Sequence, residues 1–368
     1  MRHAAPLLVL ATLMQPTATS DPPRPVVWGI MGTGAVAQDF TQVLKSCDGC
    51  TVRAVGSRTE ASAEAFGEKH GIETRYASYE ELASDDEIDI IYIATPSKCH
   101  VEHSELCLRA GRHVLCEKTM ATTAAGAERV LDLARVQKRL FMHGVWTRHF
   151  PAVHELRRLL RSGELGELRH VTIDFNQAAS ASGEAALGEG ALLETGVYPL
   201  ALLDFVMDGA APDAVHAAGE LSPGGAERQV SLLCSYDGGR TLASLHCGLS
   251  VGTPREAVFV GTKATAVLPF PFWCPDRLLI KRDGGDQEPG ALVDERAFPL
   301  PRVAGSSGGG APAFNFINSE GFAYEIAEAN RCVREGRLES DAVPADFNRR
   351  LLTTVEAARA ALVGGDAK

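Results

Sequence analysis

Two hydrophobic patterns alternate along the first part of the chain. Short continuous apolar runs, such as Val26-Val27-Trp28-Gly29-Ile30-Met31 and "DIIYIATP" (89–96), are separated by longer stretches whose apolar residues recur at helical spacing. A continuous run of this length suits a strand in a parallel sheet covered on both faces, because neither face then meets water. Further strands are read at "TVRAVGSR" (51–58), "HVLCEK" (113–118) and "LFMHGVW" (140–146). Between them "GTGAVAQDFTQVLKS", "TEASAEAFGEKHG", the short "YASYEELASDDEID", "CHVEHSELCLRAG" and "TAAGAERVLDLARVQKR" read as helices. Gly71 falls where a left-handed helix cap is wanted. This alternation predicts a doubly wound α/β domain over residues 25–147.

Beyond it the pattern changes. A helix, "AVHELRRLLRSG", leads to the strand "RHVTIDFN", and after a glycine-rich stretch "LLETGVYPLALLDFVMDG" reads as one helical segment. Strands then follow with few helices between them: "RQVSLLCSY", "RTLASLHCGLS", "REAVFVGTKATAVLPF" and "DRLLIKR". "SYDGGRT" is a hairpin signal, and "GTKATAVLP" reads as a turn joining two strands. "PRVAGSSGGGAPAF" (301–314) is a low-complexity surface loop, and two helices, "EGFAYEIAEANRCVREG" and "PADFNRRLLTTVEAARAALV", close the chain. The expectation for residues 148–368 is an α+β domain with an open, mainly antiparallel sheet serving substrate binding and oligomerisation.

A length of 368 residues fits two such domains. The net charge of −11, with no compensating basic stripe, argues against a nucleic-acid partner. No apolar run is long enough to span a bilayer. Residues 1–24 stand outside the fold. The first twenty carry Arg2, an apolar run and then small polar residues, which fits a signal or transit peptide or a disordered extension. The nine cysteines are odd in number and scattered, as reduced thiols are, and none of the asparagines begins a glycosylation acceptor. A cytoplasmic location is the expectation, with the leader as its alternative.

Chemistry enters with Gly32-x-Gly34-x-x-Ala37, set between a strand and a helix. The first glycine permits a tight turn, the second lets backbone approach a pyrophosphate, and a small third residue lets helix and strand pack closely. In the first βα unit this is a Rossmann dinucleotide signature, with Gly32, Thr33, Gly34, Ala35 and Val36 as the cradle. An NAD site usually ends the second strand with an acid. Here it ends Ser57-Arg58, a hydroxyl and a guanidinium suited to a 2′-phosphate, so NADP(H) is the expected cofactor; a merely solvated Arg58 is the alternative. Thr95, Pro96 and His100 lie at and beyond the end of the strand at 89–96, where they line the cofactor edge or cap and pack the next helix. Glu117 and Lys118 end the strand at 113–118, either as a solvated terminus or as chemistry aimed into a cleft.

Lys118 and Tyr198 form the candidate catalytic pair. Hydride transfer at a secondary alcohol needs a base for the hydroxyl proton, and a tyrosine serves if a cation stabilises its phenolate. At ~4 Å and an effective dielectric of ~20 that attraction is about 4 kcal/mol, enough to move a tyrosine pKa well below ~10. Cys47-x-x-Cys50 lacks a second pair, and His143, His149 and His154 lack metal-ligand spacing, so no metal is expected.

Taken together, "GIMGTGAVA", "IATPSKCHVEHSELCLRAGRHVLCEKTM", "GVWTRHFPAVHELRRLLRSGELGELRHVTIDF", "GALLETGVYPL", "VGTKATAVLP" and "GFAYEIAEANRCVREGRLES" resemble the Gfo/Idh/MocA oxidoreductase family, and within it the dimeric dihydrodiol dehydrogenase branch with its NADP-linked D-xylose dehydrogenases. The resemblance runs from about residue 25 to about residue 360. It implies a Rossmann domain, a C-terminal domain whose sheet makes a homodimer, and a Glu-Lys-Pro motif falling on Glu117-Lys118-Thr119. It also implies an Asp-x-x-x-Tyr pair on Glu194 and Tyr198, and substrate-side positions at Trp146, Arg148 and Phe150. The sequence departs from the family at Thr119, at Glu194 and in the short 176–190 segment. The function expected is NADP(H)-dependent hydride transfer at a sugar or cyclic vicinal diol. Tyr198 is the expected acid/base, and Lys118 and Glu117 its helpers. The alternatives are a non-catalytic NADP-binding sensor and a different reduction on the same fold, such as that of a conjugated double bond.

Overall fold

The computed structural model describes residues 24–178, 188–282, 291–303 and 314–364. The expected leader, most of the 176–190 segment and most of the low-complexity loop lie outside them. The first sheet comprises β1 (Val26–Met31), β2 (Cys50–Gly56), β3 (Thr74–Tyr76), β4 (Ile90–Ile93), β5 (His113–Glu117) and β6 (Phe141–Gly144). All pair in parallel, in the order β3-β2-β1-β4-β5-β6. The order reverses between β1 and β4, and ligands of such sheets bind beyond the strand ends at that point. Its helices are α1 (Ala35–Leu44), α2 (Glu60–His70), α3 (Tyr79–Ser84), α4 (His100–Arg109) and α5 (Ala124–Gln137). Gly71 closes α2 in the left-handed conformation, as expected. β3, at three residues, is too short to show a pattern and went unread.

After α6 (Pro151–Arg161) the second sheet is formed by β7 (Leu168–Asn176), β8 (Ala214–Leu221), β9 (Glu227–Tyr236), β10 (Thr241–Gly248), β11 (Ala257–Gly261), β12 (Thr265–Leu268), β13 (Arg277–Arg282) and β14 (Ala291–Ala297). Its order is β14-β13-β12-β11-β7-β10-β9-β8. Only the β7–β10 pair among them is parallel, so the sheet is mixed but mainly antiparallel. The edge strands β8 and β14 were not read from the sequence; β8 is largely exposed and lacks a buried face to impose alternation. The segment read as one helix is two, α7 (Ala191–Glu194) and α8 (Val197–Val206), broken at Thr195-Gly196.

Two C-terminal helices, α9 (Phe322–Arg334) and α10 (Ala345–Gly364), tie the sheets together. α9 packs on α1 and β1, and α10 on α5 and β8. Phe40 of α1 stacks on Tyr92 of β4 and meets the edge of Phe322 in α9. The Trp28 indole N–H donates to Asn330 Oδ1 at 3.1 Å. Asp39, buried on α1, accepts from the backbone N–H groups of Asn315 and Phe316 and from the Ser319 hydroxyl, at 2.8–3.0 Å. A buried carboxylate with that many donors is both satisfied and rigid, and it pins the 315–319 strap over the first helix of the nucleotide-binding sheet.

Candidate active site

The nucleotide end is made of backbone. Gly32 has φ +105, and a Cβ there would lie 2.7 Å from the Ala94 carbonyl oxygen, so only glycine lets β1 turn against β4. Gly34 precedes α1 with open space around it: nothing lies within 4 Å of where its Cβ would be. α1 has no side-chain cap and no acid in its first turn, so its N–H groups face that opening unpaired. Thr33, Gly34, Ala35 and Val36 border the opening, while Ala37 is fully buried. A dinucleotide pyrophosphate fits this cradle. At the end of β2, Ser57 is buried and Arg58 exposed, without an ion pair among the described residues. Tyr79 and His103, which the sequence reading passed over, pack edge to face nearby, and Arg58 acts electrostatically on both.

Thr95 links this end to the chemistry through a hydroxyl contact with His103 Nδ1 at 2.8 Å. Pro96 begins the short 3₁₀ turn that follows. His100 does not line the cofactor edge; it is fully buried, its Nε2 2.7 Å from the Thr95 carbonyl and its Nδ1 2.8 Å from the Thr119 carbonyl. The ring therefore sits between the loop after β4 and the loop after β5, donating to one carbonyl when neutral and to both when protonated. This is the packing role, and burial pushes its pKa down.

Glu117 is buried at the end of β5. Its Oε1 accepts from the Tyr92 hydroxyl at 2.6 Å and its Oε2 from the Lys118 N–H at 3.1 Å. Desolvation raises its pKa. The Lys118 ammonium crosses to α7, donating to the Glu194 carbonyl at 3.0 Å and to Glu194 Oε2 at 3.4 Å. The Lys118–Thr119 peptide bond is cis. Thr119 uses what proline lacks: its hydroxyl donates to the Leu193 carbonyl at 2.9 Å, a second tie between the lysine loop and α7. Behind the loop, His143 accepts from the Met120 N–H and contacts Asn348 Oδ1, its pKa pushed down to about 3 by burial.

Tyr198, one turn beyond Glu194, faces the same cleft, with the Lys118 ammonium 5.8 Å from its ring centre. Its pKa is raised well above the ordinary tyrosine value, first by burial and then by the Glu117 charge. This corrects the expected phenolate: the lysine is committed to Glu194, and at neutral pH Tyr198 is a phenol with its proton in place. Trp146 lies on the cleft, stacked on Phe322, and its indole acts on the Tyr198 hydroxyl, opposing the rise in its pKa.

Arg148 and Phe150, expected beside the substrate, are not in the cleft. Arg148 is buried, pairs with Asp204 of α8 at 3.0 Å and lies over Phe347 of α10. Arg350 holds the same aspartate at 2.7 Å. Phe150 is core, edge-on to Trp146 and Tyr324. Both anchor the helices that carry the site. In their place the cleft, 440 Å³ in volume, is walled by Phe175, Phe270, Trp273 and Phe322, with Gln177, Arg255 and Asn315 among its polar lining. "FPFWCP" (270–275) was a visible aromatic cluster, but nothing local showed that it closes over β5. Among the described residues no cluster of His, Cys, Asp or Glu could hold a metal ion.

A Rossmann sheet whose dinucleotide cradle opens onto a lysine, a phenol and an aromatic wall defines a nicotinamide-dependent oxidoreductase, and the comparisons with known proteins agree. Residues 26–145 match the model of an oxidoreductase family with an NAD-binding Rossmann fold, and residues 153–267 match the GFO/IDH/MocA C-terminal domain. The chain belongs to the Gfo/Idh/MocA oxidoreductase family. It is 34% identical over 340 residues to trans-1,2-dihydrobenzene-1,2-diol dehydrogenase of Bos taurus, covering 91% of this chain and 96% of that protein. It is 33% identical to the Homo sapiens enzyme over the same shares. Its fold matches the aldose-aldose oxidoreductase of Caulobacter crescentus, complexed with glycerol, with a TM-score of 0.77 at 24% identity over 93% of this chain and 98% of that one. A 3-ketoreductase of Actinomadura kijaniata matches with a TM-score of 0.77 at 23% identity, over 92% and 98%. No helix among the described residues is long and apolar enough to cross a membrane.

Proposed function

We propose that this oxidoreductase is an NADP(H)-dependent enzyme acting on a carbonyl or hydroxyl carbon of a sugar or cyclic vicinal diol. The observation that carries the reading is the convergence of Glu117, Lys118, Glu194 and Tyr198 on one aromatic-walled cleft beside the Gly32–Val36 turn. When bound, the nicotinamide supplies or accepts the hydride. Gly32, Thr33, Gly34, Ala35 and Val36 would hold the pyrophosphate, Ser57 and Arg58 the 2′-phosphate, and Thr95, Pro96 and Glu117 the edge nearer the chemistry. His100 keeps that edge in place from behind.

Tyr198 donates its proton to the substrate oxygen in reduction and takes one from it in oxidation. Lys118, fixed by Glu194, directs its one remaining N–H donor and its charge at the same oxygen, where negative charge develops. Trp146, Phe175 and Trp273 offer flat faces to the apolar side of a sugar or diol ring. The dihydrodiol dehydrogenases among its relatives support the diol, and the aldose enzyme of the same fold is in keeping with a sugar.

On the same reading residues 25–147 form the cofactor domain and 148–368 the substrate domain. Two copies of the chain meet through the uncovered face of the second sheet, where Leu233 and Leu242 are exposed on paired strands. The test is to follow nicotinamide absorbance with purified protein, NADP or NADPH, and a panel of pentoses, hexoses, cyclic diols and dicarbonyls. Turnover of a panel member, with NADP preferred over NAD, is the expected result; NADPH binding without turnover of any would overturn it.

A further inference from the structure

Four charged side chains line the cleft: Glu117, Lys118, Glu194 and Arg255. Three are matched. Lys118 pairs with Glu194, and Glu117 is held by the Tyr92 hydroxyl and the Lys118 N–H. Arg255 has no carboxylate at ion-pair distance among the described residues, and its Nε is buried without a hydrogen-bond partner among them. Its guanidinium lies 4.6 Å from the ring centre of Phe270 and 5.7 Å from that of Trp273. An arginine held by its flat face keeps its edge N–H donors free, in the fork that matches a carboxylate or phosphate.

The backbone fixes this aim. Arg255 has φ +58, a left-handed conformation uncommon for a long side chain. Its N–H donates to Asp174 Oδ1 at 2.8 Å, and the Thr253 hydroxyl bonds the same oxygen. The loop is thus pinned to β7 by its main chain, and the guanidinium is left for the cleft. The dinucleotide cradle lies on the other sheet, at Gly32–Val36, with Arg58 beyond it, so a second anion enters from the side of the aromatic wall.

We propose that Arg255 is the anion anchor of the substrate site and that the substrate is acidic: a sugar or cyclic diol bearing a carboxylate or a phosphate. The proposal rests on the oxidoreductase reading of the same cleft. An oxyanion on Arg255 fixes one end of the ring along the aromatic wall and leaves the other end, with its reacting carbon, to Tyr198 and Lys118. A neutral substrate of the same shape would leave the half-buried guanidinium, whose Nε is already without a partner among the described residues, unpaired beneath it, which discriminates more strongly than lost apolar contact.

The test uses the full chain and matched probes: glucose, glucuronate and glucose 6-phosphate. Each is followed by NADP-linked turnover and by tryptophan fluorescence, since Trp146 and Trp273 line the cleft. The wild type should favour one of the acids over glucose by at least about tenfold in kcat/KM, and Arg255→Gln should bring that ratio to about one, with Arg255→Lys between them. The two acid arms separate a carboxylate from a phosphate. A preference for glucose, a ratio that Arg255→Gln leaves intact, or NADPH binding weakened by the substitution would overturn the proposal. If none of the probes turns over, fluorescence decides. Binding of an acid that Arg255→Gln abolishes upholds the anchor while the reading of these sugars as substrates falls; acid and neutral probes bound alike, or no probe bound, sink the anchor.

Discussion

At the nucleotide end of the cleft, Gly32, Gly34 and the first turn of α1 present main chain. At the substrate end Lys118, Glu194, Tyr198, Arg255 and an aromatic wall present side chains gathered from both sheets and the strap at 315–322. The first arrangement depends on the absence of a side chain at Gly32, where a Cβ would meet the Ala94 carbonyl. The second depends on side chains held by buried partners that never touch a substrate: Arg148 and Arg350 on Asp204, Thr119 on Leu193, His100 on two carbonyl oxygens. Substitution should therefore damage the two ends in different ways.

The largest effect is expected at Lys118. Lys118→Met should lower kcat roughly 1,000-fold, because it removes a charge aimed at the reacting oxygen, while NADPH still binds in a fluorescence titration. Next comes Gly32→Ala, which forces a Cβ against the Ala94 carbonyl at a positive φ. It should weaken NADPH binding by about 100-fold or more and lower the melting temperature, since strain and displacement of the turn act together. If Lys118→Met destroyed cofactor binding and Gly32→Ala spared it, the division of labour between the ends would be reversed.

A smaller effect is expected at Arg58. Arg58→Gln should reduce the preference for NADP over NAD by about tenfold, as for the loss of one charge-assisted phosphate contact, seen in the ratio of the two KM values. The smallest concerns Glu325, fully buried on α9 with neither carboxyl oxygen hydrogen-bonded among the described residues. Burial and then the Glu117 charge hold its pKa well above the usual carboxylate range. A carboxyl whose folded pKa is raised contributes its stability below its unfolded pKa and loses it as pH rises towards the folded one. Glu325→Gln cannot ionise, so its melting temperature should gain on the wild type by a few degrees between pH 5 and pH 8. A gap that narrowed with pH would contradict the assigned protonation.

The same contrast decided what could be read from the chain. The Rossmann half was legible because its signals are local: the apolar runs of β1 and β4 are buried on both faces, and the glycines sit at fixed spacing. Lys118 and Tyr198 were legible through the resemblance, which implied a family geometry that no spacing of residues could. Arg148 and Phe150 were misplaced because position beside Trp146 does not reveal direction. The 3₁₀ turn at Trp146–His149 sends Trp146 to the cleft and Arg148 into the interface with α8 and α10. Tyr198 stays a phenol because burial and the Glu117 charge raise its pKa, and neither its burial nor its distance from Glu117 shows in the local sequence. Arg255, Gln177 and Trp273 come from turns far apart in sequence, and only tertiary closure brings them to β5.

The central claim, that Tyr198 transfers the substrate proton within a site whose cofactor end is independent of it, is tested most directly by single-turnover kinetics of Tyr198→Phe. The protein would be loaded with NADPH and mixed with the best carbonyl substrate of the panel. The account predicts unchanged NADPH affinity and a hydride-transfer rate lowered by about 100-fold to 10,000-fold, the range of a lost general acid. Oxidation of NADPH at more than half the wild-type rate would contradict it.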